Sequence, residues 1–126
     1  MLRDLIGVPF DEMNCANLVI NVFRRYGITL PDYEFNNIAT SAAMALQREQ
    51  RISDAIGAAD WVRVSWEPTP PSLMVLRSSS GHVDHVGVYI GDGRFIHSDR
   101  RMGVIMNTVS DPRWKHRVAG YYEYTG

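Results

Sequence analysis

The chain has 126 residues, enough for one hydrophobic core and too few for two independent ones. It is 45% hydrophobic and 21% charged with a formal net charge of -1, so composition gives no bulk attraction to nucleic acid or an anionic membrane. Its one cysteine excludes an intramolecular disulfide and leaves that thiol to packing, metal ligation or nucleophilic chemistry.

Met1–Ile6 reads as a short helix or turn ahead of Gly7-Val8-Pro9. It holds no apolar run of signal-peptide length and carries Asp4 early, so no export signal is expected there. The longest apolar runs, such as Val86–Ile90, fall far short of the roughly 20 residues that span a bilayer, and no membrane insertion is expected. From Cys15 the apolar residues fall at Cys15, Leu18, Val19, Val22, Phe23 and Tyr26, the stripe of a buried helix face. Asn14 suits the N-cap, Gly27 the stop, and Pro31 bars continuation. A second helix is expected from about Ile38 to Ile56, rich in Ala, Met, Leu, Gln, Glu and Arg, with Gly57 at its end.

The remainder reads as strands. Trp61–Trp66 alternates apolar and polar residues, and Glu67–Pro71 is a rigid connector unsuited to a central strand. Leu73–Arg77 follows, then a loop at Ser78–Gly81. Val83–Ile90 and Arg94–Ser98 form a hairpin around Gly91-Asp92-Gly93, and Val104–Met106 and Tyr121–Tyr124 are further short strands. Helices first and about five short antiparallel strands after them define an α+β fold, one domain over residues 1–126.

Cys15 sits at the first turn of the best-defined helix. Orphan backbone N–H groups and the positive end of the helix dipole stabilise a thiolate there, whereas a free thiol titrates near pH ~8.5. The same residue heads the apolar stripe, which suits an inert buried thiol as well. A thiolate nucleophile needs an imidazole, and the imidazole needs an orienting partner. His85 opens the strand His85-Val-Gly-Val-Tyr-Ile90, and His97 lies on the next. A three-residue Gly-Asp-Gly loop sets Gly87 opposite His97 and His85 diagonal to it on one face; a two-residue loop shifts the register and separates them. His82 reads as an exposed loop residue, and His116 as part of the basic Arg113–Arg117 segment. The rival chemistry is zinc held by His82, His85, His97 and Cys15, which requires His82 to curl back from its loop.

Together these residues resemble a known family, the NlpC-type papain-like cysteine peptidases, and in particular its short phage tail-assembly members. The helix start Asn14-Cys15-Ala16-Asn17-Leu18-Val19 resembles the family's Asp-Cys-Ser/Trp-Gly-Leu-Val block. Val22–Ile28 and Leu30-Pro31-Asp32-Tyr33 are similar to the run that follows it in phage members. His85-Val-Gly-Val-Tyr-Ile-Gly91 and Phe95-Ile-His97 are similar to the family's second block, and Trp114 through Tyr122 to the phage chain end. Departures are Asn14 for Asp, Asn17 for Gly, Phe10 for a Tyr after Pro9, and Pro71-Ser72 for Gly-Asp.

The resemblance implies a half-papain fold, a nucleophile helix packed on an antiparallel sheet that carries the histidines. It implies Cys15 as nucleophile, His85 as general base and His97 as the residue orienting it, with no metal or other cofactor. The implied activity is hydrolysis of peptide bonds in peptidoglycan stems, for local cell-wall opening or tail-tip assembly. The implied partners are peptidoglycan peptide and other tail-tip proteins, and the implied location is the virion tail tip or the host cytoplasm during assembly. The alternative is a weakly active or inactive structural subunit of a tail tip on the same scaffold, with Met44–Ile56 and Arg113–Arg117 as docking surfaces.

Overall fold

The computed structural model describes residues 2–31, 42–57, 60–79 and 81–126, and side chains in the second helix from residue 49 onward. A single 3-10 turn, Arg3–Leu5, precedes helix α1, Cys15–Arg25. Asn14 caps α1 through its side chain, which accepts from the Asn17 N–H at 2.9 Å. Leu18, Val22 and Phe23 are fully buried along the expected stripe. At the other end the Gly27 N–H donates to Arg24 O and the Ile28 N–H to Phe23 O, at 2.9 and 3.0 Å. That paired closure needs a left-handed residue after the cap, and Gly27 supplies it at φ +82°.

Helix α2 spans Ala42–Gly57. The start expected at Ile38 lies outside the described residues, and Gly57 is the helix's last residue. Ile52 is its buried anchor, with Ala55 and Ile56 packed beside it on the same core. Among the described residues no helix is long and apolar enough to cross a membrane.

Among the described residues six strands follow, one at each stretch the sequence marks as strand: β1 Trp61–Val64, β2 Ser72–Leu76, β3 His85–Gly91, β4 Arg94–Asp99, β5 Gly103–Thr108 and β6 Val118–Tyr124. They form one antiparallel sheet in the order β1-β6-β2-β3-β4-β5. β1 stops at Val64, short of Trp66, where the chain bends toward the Pro-rich connector. β3 begins at His85 rather than Val83, because the Val83 N–H is taken by the Glu49 carboxylate of α2 at 2.6 Å. β5 and β6 are longer than expected: pairing with β4 adds Gly103, Asn107 and Thr108 to β5, and pairing with β2 adds Val118 to Gly120 to β6.

The β3–β4 turn has two residues, Asp92 (φ 54°) and Gly93 (φ 71°), and Gly91 pairs with Arg94. The expected three-residue loop is therefore absent, yet the register survives. A bulge between Tyr89 and Gly91 absorbs the extra residue, so Gly87 still faces His97. Tyr89 fixes this corner: its hydroxyl donates to the Glu67 carboxylate and accepts from the Gly93 N–H at 3.1 Å.

The sheet has two packed faces. Leu73, Val75, Val86, Val88, Ile96 and Val104 join the buried residues of α1 and Ile52 of α2. On the other face Met74, Leu76, Tyr89 and Phe95 pack with Trp114, Val118 and Tyr121. α1 lies against β3 and β4. Phe23, fully buried, meets the Trp61 ring edge-on at 5.7 Å and links helix to edge strand. Phe23→Ala is expected to cost about 3–5 kcal/mol, read as a lower urea midpoint at unchanged slope.

Candidate active site

Alternation along β3 and β4 decides which side chains share a face. Val86 and Val88 point to the helices, so His85, Gly87 and Tyr89 point to the far face. Ile96 likewise faces the helices, and Phe95 and His97 lie opposite. His85 Nε2 lies 2.9 Å from His97 Nδ1, the pairing that the sequence register anticipated. His97 is fully buried, while His85, at the end of its strand, is half-buried.

Gly87 makes the pair geometrically feasible. A Cβ there lies 2.9 Å from the Ile96 carbonyl oxygen and 3.1 Å from His97 Cβ. The missing side chain is the space into which β4 and His97 pack.

Two residues that sequence reasoning missed complete the environment. Asn107, on β5, places Oδ1 2.8 Å from His97 Nε2. Its signal was the β4–β5 hairpin: with Asp99 opposite Gly103, Ile105 faces His97 and Asn107 falls diagonal to it on the same face. Trp114, read above only as part of the chain-end resemblance, turns inward. Its ring meets His97 edge-on at 4.6 Å, tilts against His85 at 6.2 Å, and meets Phe95 at 5.8 Å. Phe95 stacks on His97 at 5.0 Å and 23° between planes. The His97 ring is thus fixed by hydrogen bonds at both nitrogens and by two aromatic walls.

Burial pushes the His97 pKa below its ordinary 6.5, against its hydrogen bond to the Asn107 oxygen and the charge of Asp99, which raise it. The unfolded chain binds the proton first, so stability contributed by neutral His97 is present above pH 6.5 and is lost as pH falls through that value toward the lower folded pKa. The urea midpoint is therefore expected to drop on acidification below neutrality, and His97→Gln to flatten that part of the curve. An unchanged acid slope in the variant contradicts this.

Cys15 is fully buried as the first residue of α1, in the same core cluster as Val86 and Ile96. Ser98, directly after His97, donates its hydroxyl to the Met13 carbonyl at 2.6 Å. That bond ties the approach to Cys15 to the end of β4, which is also the end of the sheet where β3 starts with His85. The structure thus joins the two histidines directly and brings the start of α1, with Cys15, to their end of the sheet. Asp84, one residue before His85, is buried, and its Oδ1 has no hydrogen-bond partner among the described residues.

His82 is half-buried rather than exposed, with Nδ1 3.5 Å from the Glu49 carboxylate. His116 is exposed, in the loop after β5. Both His97 nitrogens are engaged, by His85 and by Asn107, which leaves that ring no free nitrogen for a metal. Among the described residues no group of three or more His, Cys, Asp or Glu converges on one point.

Comparison with known proteins bears on the fold and the family. The chain is 46% identical over 114 residues to a protein of Escherichia coli K12 named murein DD-endopeptidase MepS/murein LD-carboxypeptidase, and equally to its counterpart in Escherichia coli O157:H7. The alignment covers 88% of this chain and 49% of that protein, so the chain spans about half the length of these curated relatives. The fold is similar to a crystal structure of an NlpC/P60 family protein from Bacillus cereus ATCC 10987, at TM-score 0.61 and 21% identity over 98% of this chain and 38% of the other. A structure titled as similar to a lipoprotein of the NLP/P60 family, from Staphylococcus aureus Mu50, gives TM-score 0.61 at 20% identity, again over 98% of this chain and 38% of that one. The NlpC/P60 family model matches residues 6–123, nearly the whole chain, and the chain belongs to that family.

Proposed function

We propose that the protein is a cysteine peptidase that hydrolyses peptide bonds in peptidoglycan stems, with Cys15 as nucleophile, His85 as general base and His97 as the residue that orients His85. The observation that carries this reading is the hydrogen-bonded His85–His97 pair at the sheet end reached by the helix-start cysteine. The E. coli relatives, named as murein peptidases, support the substrate class.

His97 engages Nε2 of His85, and Nδ1 is the nitrogen assigned to the reaction. The Cys15 thiol proton passes to His85 Nδ1, and the sulfur attacks the scissile carbonyl carbon. The helix N-terminus favours negative charge at this point, and the Cys15 N–H stabilises the oxyanion. The C–N bond breaks as His85 returns the proton to the leaving amine. Water then attacks the thioester, His85 takes its proton, and the new carboxylate leaves as the thiol is restored.

The test is incubation of the chain with muropeptides carrying intact stems, followed by mass spectrometry for new amine and carboxyl termini. Cleavage at one stem position is expected. Intact muropeptides with folded protein overturn the reading and favour the structural subunit. The setting at a phage tail tip, in the virion or in the host cytoplasm during assembly, rests on the sequence resemblance at Leu30–Tyr33 and Trp114–Tyr122. Co-purification with assembled tails tests it, and absence from them overturns it.

A further inference from the structure

We propose that Asn107 is a positioning residue that selects the proton arrangement of the histidine pair: by accepting from His97 Nε2, it makes His97 Nδ1 accept from His85 Nε2 and leaves His85 Nδ1 unprotonated for the Cys15 thiol. The inference rests on the cysteine-peptidase reading for its purpose, but not for its structural content.

A neutral imidazole carries one proton on two nitrogens, so a line of two hydrogen-bonded rings has only two self-consistent directions. In one, Asn107 Oδ1 accepts from His97, His97 accepts from His85, and the far nitrogen of His85 keeps its lone pair. In the other, the Asn107 amide donates, each ring passes the donation on, and the His85 proton sits on Nδ1. A base cannot operate in the second. The structure has Oδ1 facing His97 Nε2 at 2.8 Å, which is the first direction. Ring flipping does not relieve the constraint, because Phe95 and Trp114 hold the His97 plane from two sides.

The amide also does what a carboxylate cannot. A carboxylate at this position stabilises an imidazolium at His97, whose Nδ1–H then opposes the His85 Nε2–H. The charged or titratable groups around His97 are few. Asp99 lies two residues on along β4, His85 faces it from β3, and Arg117 lies over the Trp114 ring, 5.3 Å from its centroid. Of these only Asp99 favours a proton on His97, and burial outweighs it. A neutral acceptor on β5 preserves that balance and still orders the protons.

The experiment uses the full chain labelled with 15N-histidine, in wild type, Asn107→Leu and Asn107→Asp. Nitrogen shifts read each tautomer without substrate, and iodoacetamide alkylation of Cys15 is followed from about pH 4 to 10. In wild type, both rings are expected to carry the proton on Nε2. In Asn107→Leu the His97 proton moves to Nδ1, and alkylation near neutral pH falls about tenfold or more. In Asn107→Asp, which keeps shape and acceptor, the acid limb moves up by about one pH unit while the plateau returns. A merely structural asparagine lowers stability without moving that limb. Protonated Nδ1 at His97 in wild type overturns the inference, as do unchanged tautomers in Asn107→Leu or an unchanged profile in Asn107→Asp. If the tautomers respond as stated but muropeptides stay intact, the proton arrangement stands and the peptidase reading fails. If cleavage occurs and position 107 moves neither readout, the reverse holds.

Discussion

Cys15→Ala is expected to lower stem-peptide cleavage by about 10⁴-fold or more while the chain stays folded. The size follows from the chemistry, since no other thiol exists in the chain and loss of the nucleophile removes the whole covalent route. Retained folding follows from packing. Cys15 is fully buried among apolar residues, and truncation to Ala deletes one sulfur, a cost of about 1 kcal/mol. His85→Ala is expected to lose less, about 10²–10⁴-fold, because the thiol remains and only proton transfer is impaired. Iodoacetamide separates the two effects before any substrate is found. Wild-type Cys15 is expected to alkylate faster at neutral pH than Cys15 of His85→Ala. Identical profiles in the two proteins would mean that no Cys–His pair operates, and the scaffold would then serve structure rather than hydrolysis. Both readings use the same fold, so unfolding curves cannot separate them and reactivity can.

The parts of the fold legible in the sequence were those written in local periodicity. α1, its Asn14 cap and its Gly27 stop were readable because the stripe, the capping oxygen and the left-handed closure all act within a few residues. The hairpin register was reached through a three-residue loop that the structure does not have. It came out right because the bulge before Gly91 compensates for a two-residue turn, and a bulge has no periodic signature. β5 and β6 were underestimated for a related reason. Asn107 and Thr108 of β5, and Val118 to Gly120 of β6, are strand only because neighbours pair with them. Asn107 was hidden in this way: it lies beyond the apolar stretch that marked β5, and only the non-local Phe95–Asn107 register brings it to His97. Trp114 was hidden more deeply, since its loop returns across the sheet with no pattern that announces its depth.

Gly87→Val should have the largest effect of any change that touches no reacting group. Wild-type β3 and β4 approach so closely that a Cβ at residue 87 meets the Ile96 carbonyl oxygen at 2.9 Å and His97 Cβ at 3.1 Å. The first obstacle is backbone in the middle of a paired strand, so it cannot swing aside as the end of a flexible side chain does. The second is the root of the residue that holds His85. Overpacking of this kind costs about 1–3 kcal/mol, and the strand shift that relieves it separates the imidazoles. A displacement near 1 Å at a catalytic pair lowers turnover about 100-fold, so the activity loss should exceed what the fraction of unfolded protein explains. Gly87→Ala meets the same two atoms and should give a milder version of both effects. Gly57→Ala is the matched control, because nothing lies within 4 Å of a Cβ there and the residue ends α2 without a left-handed backbone. The measurement pairs urea midpoints with cleavage rates for all three variants. Full activity in folded Gly87→Val would show that the His85–His97 contact does not set the rate, and His85 would then have to work without its partner.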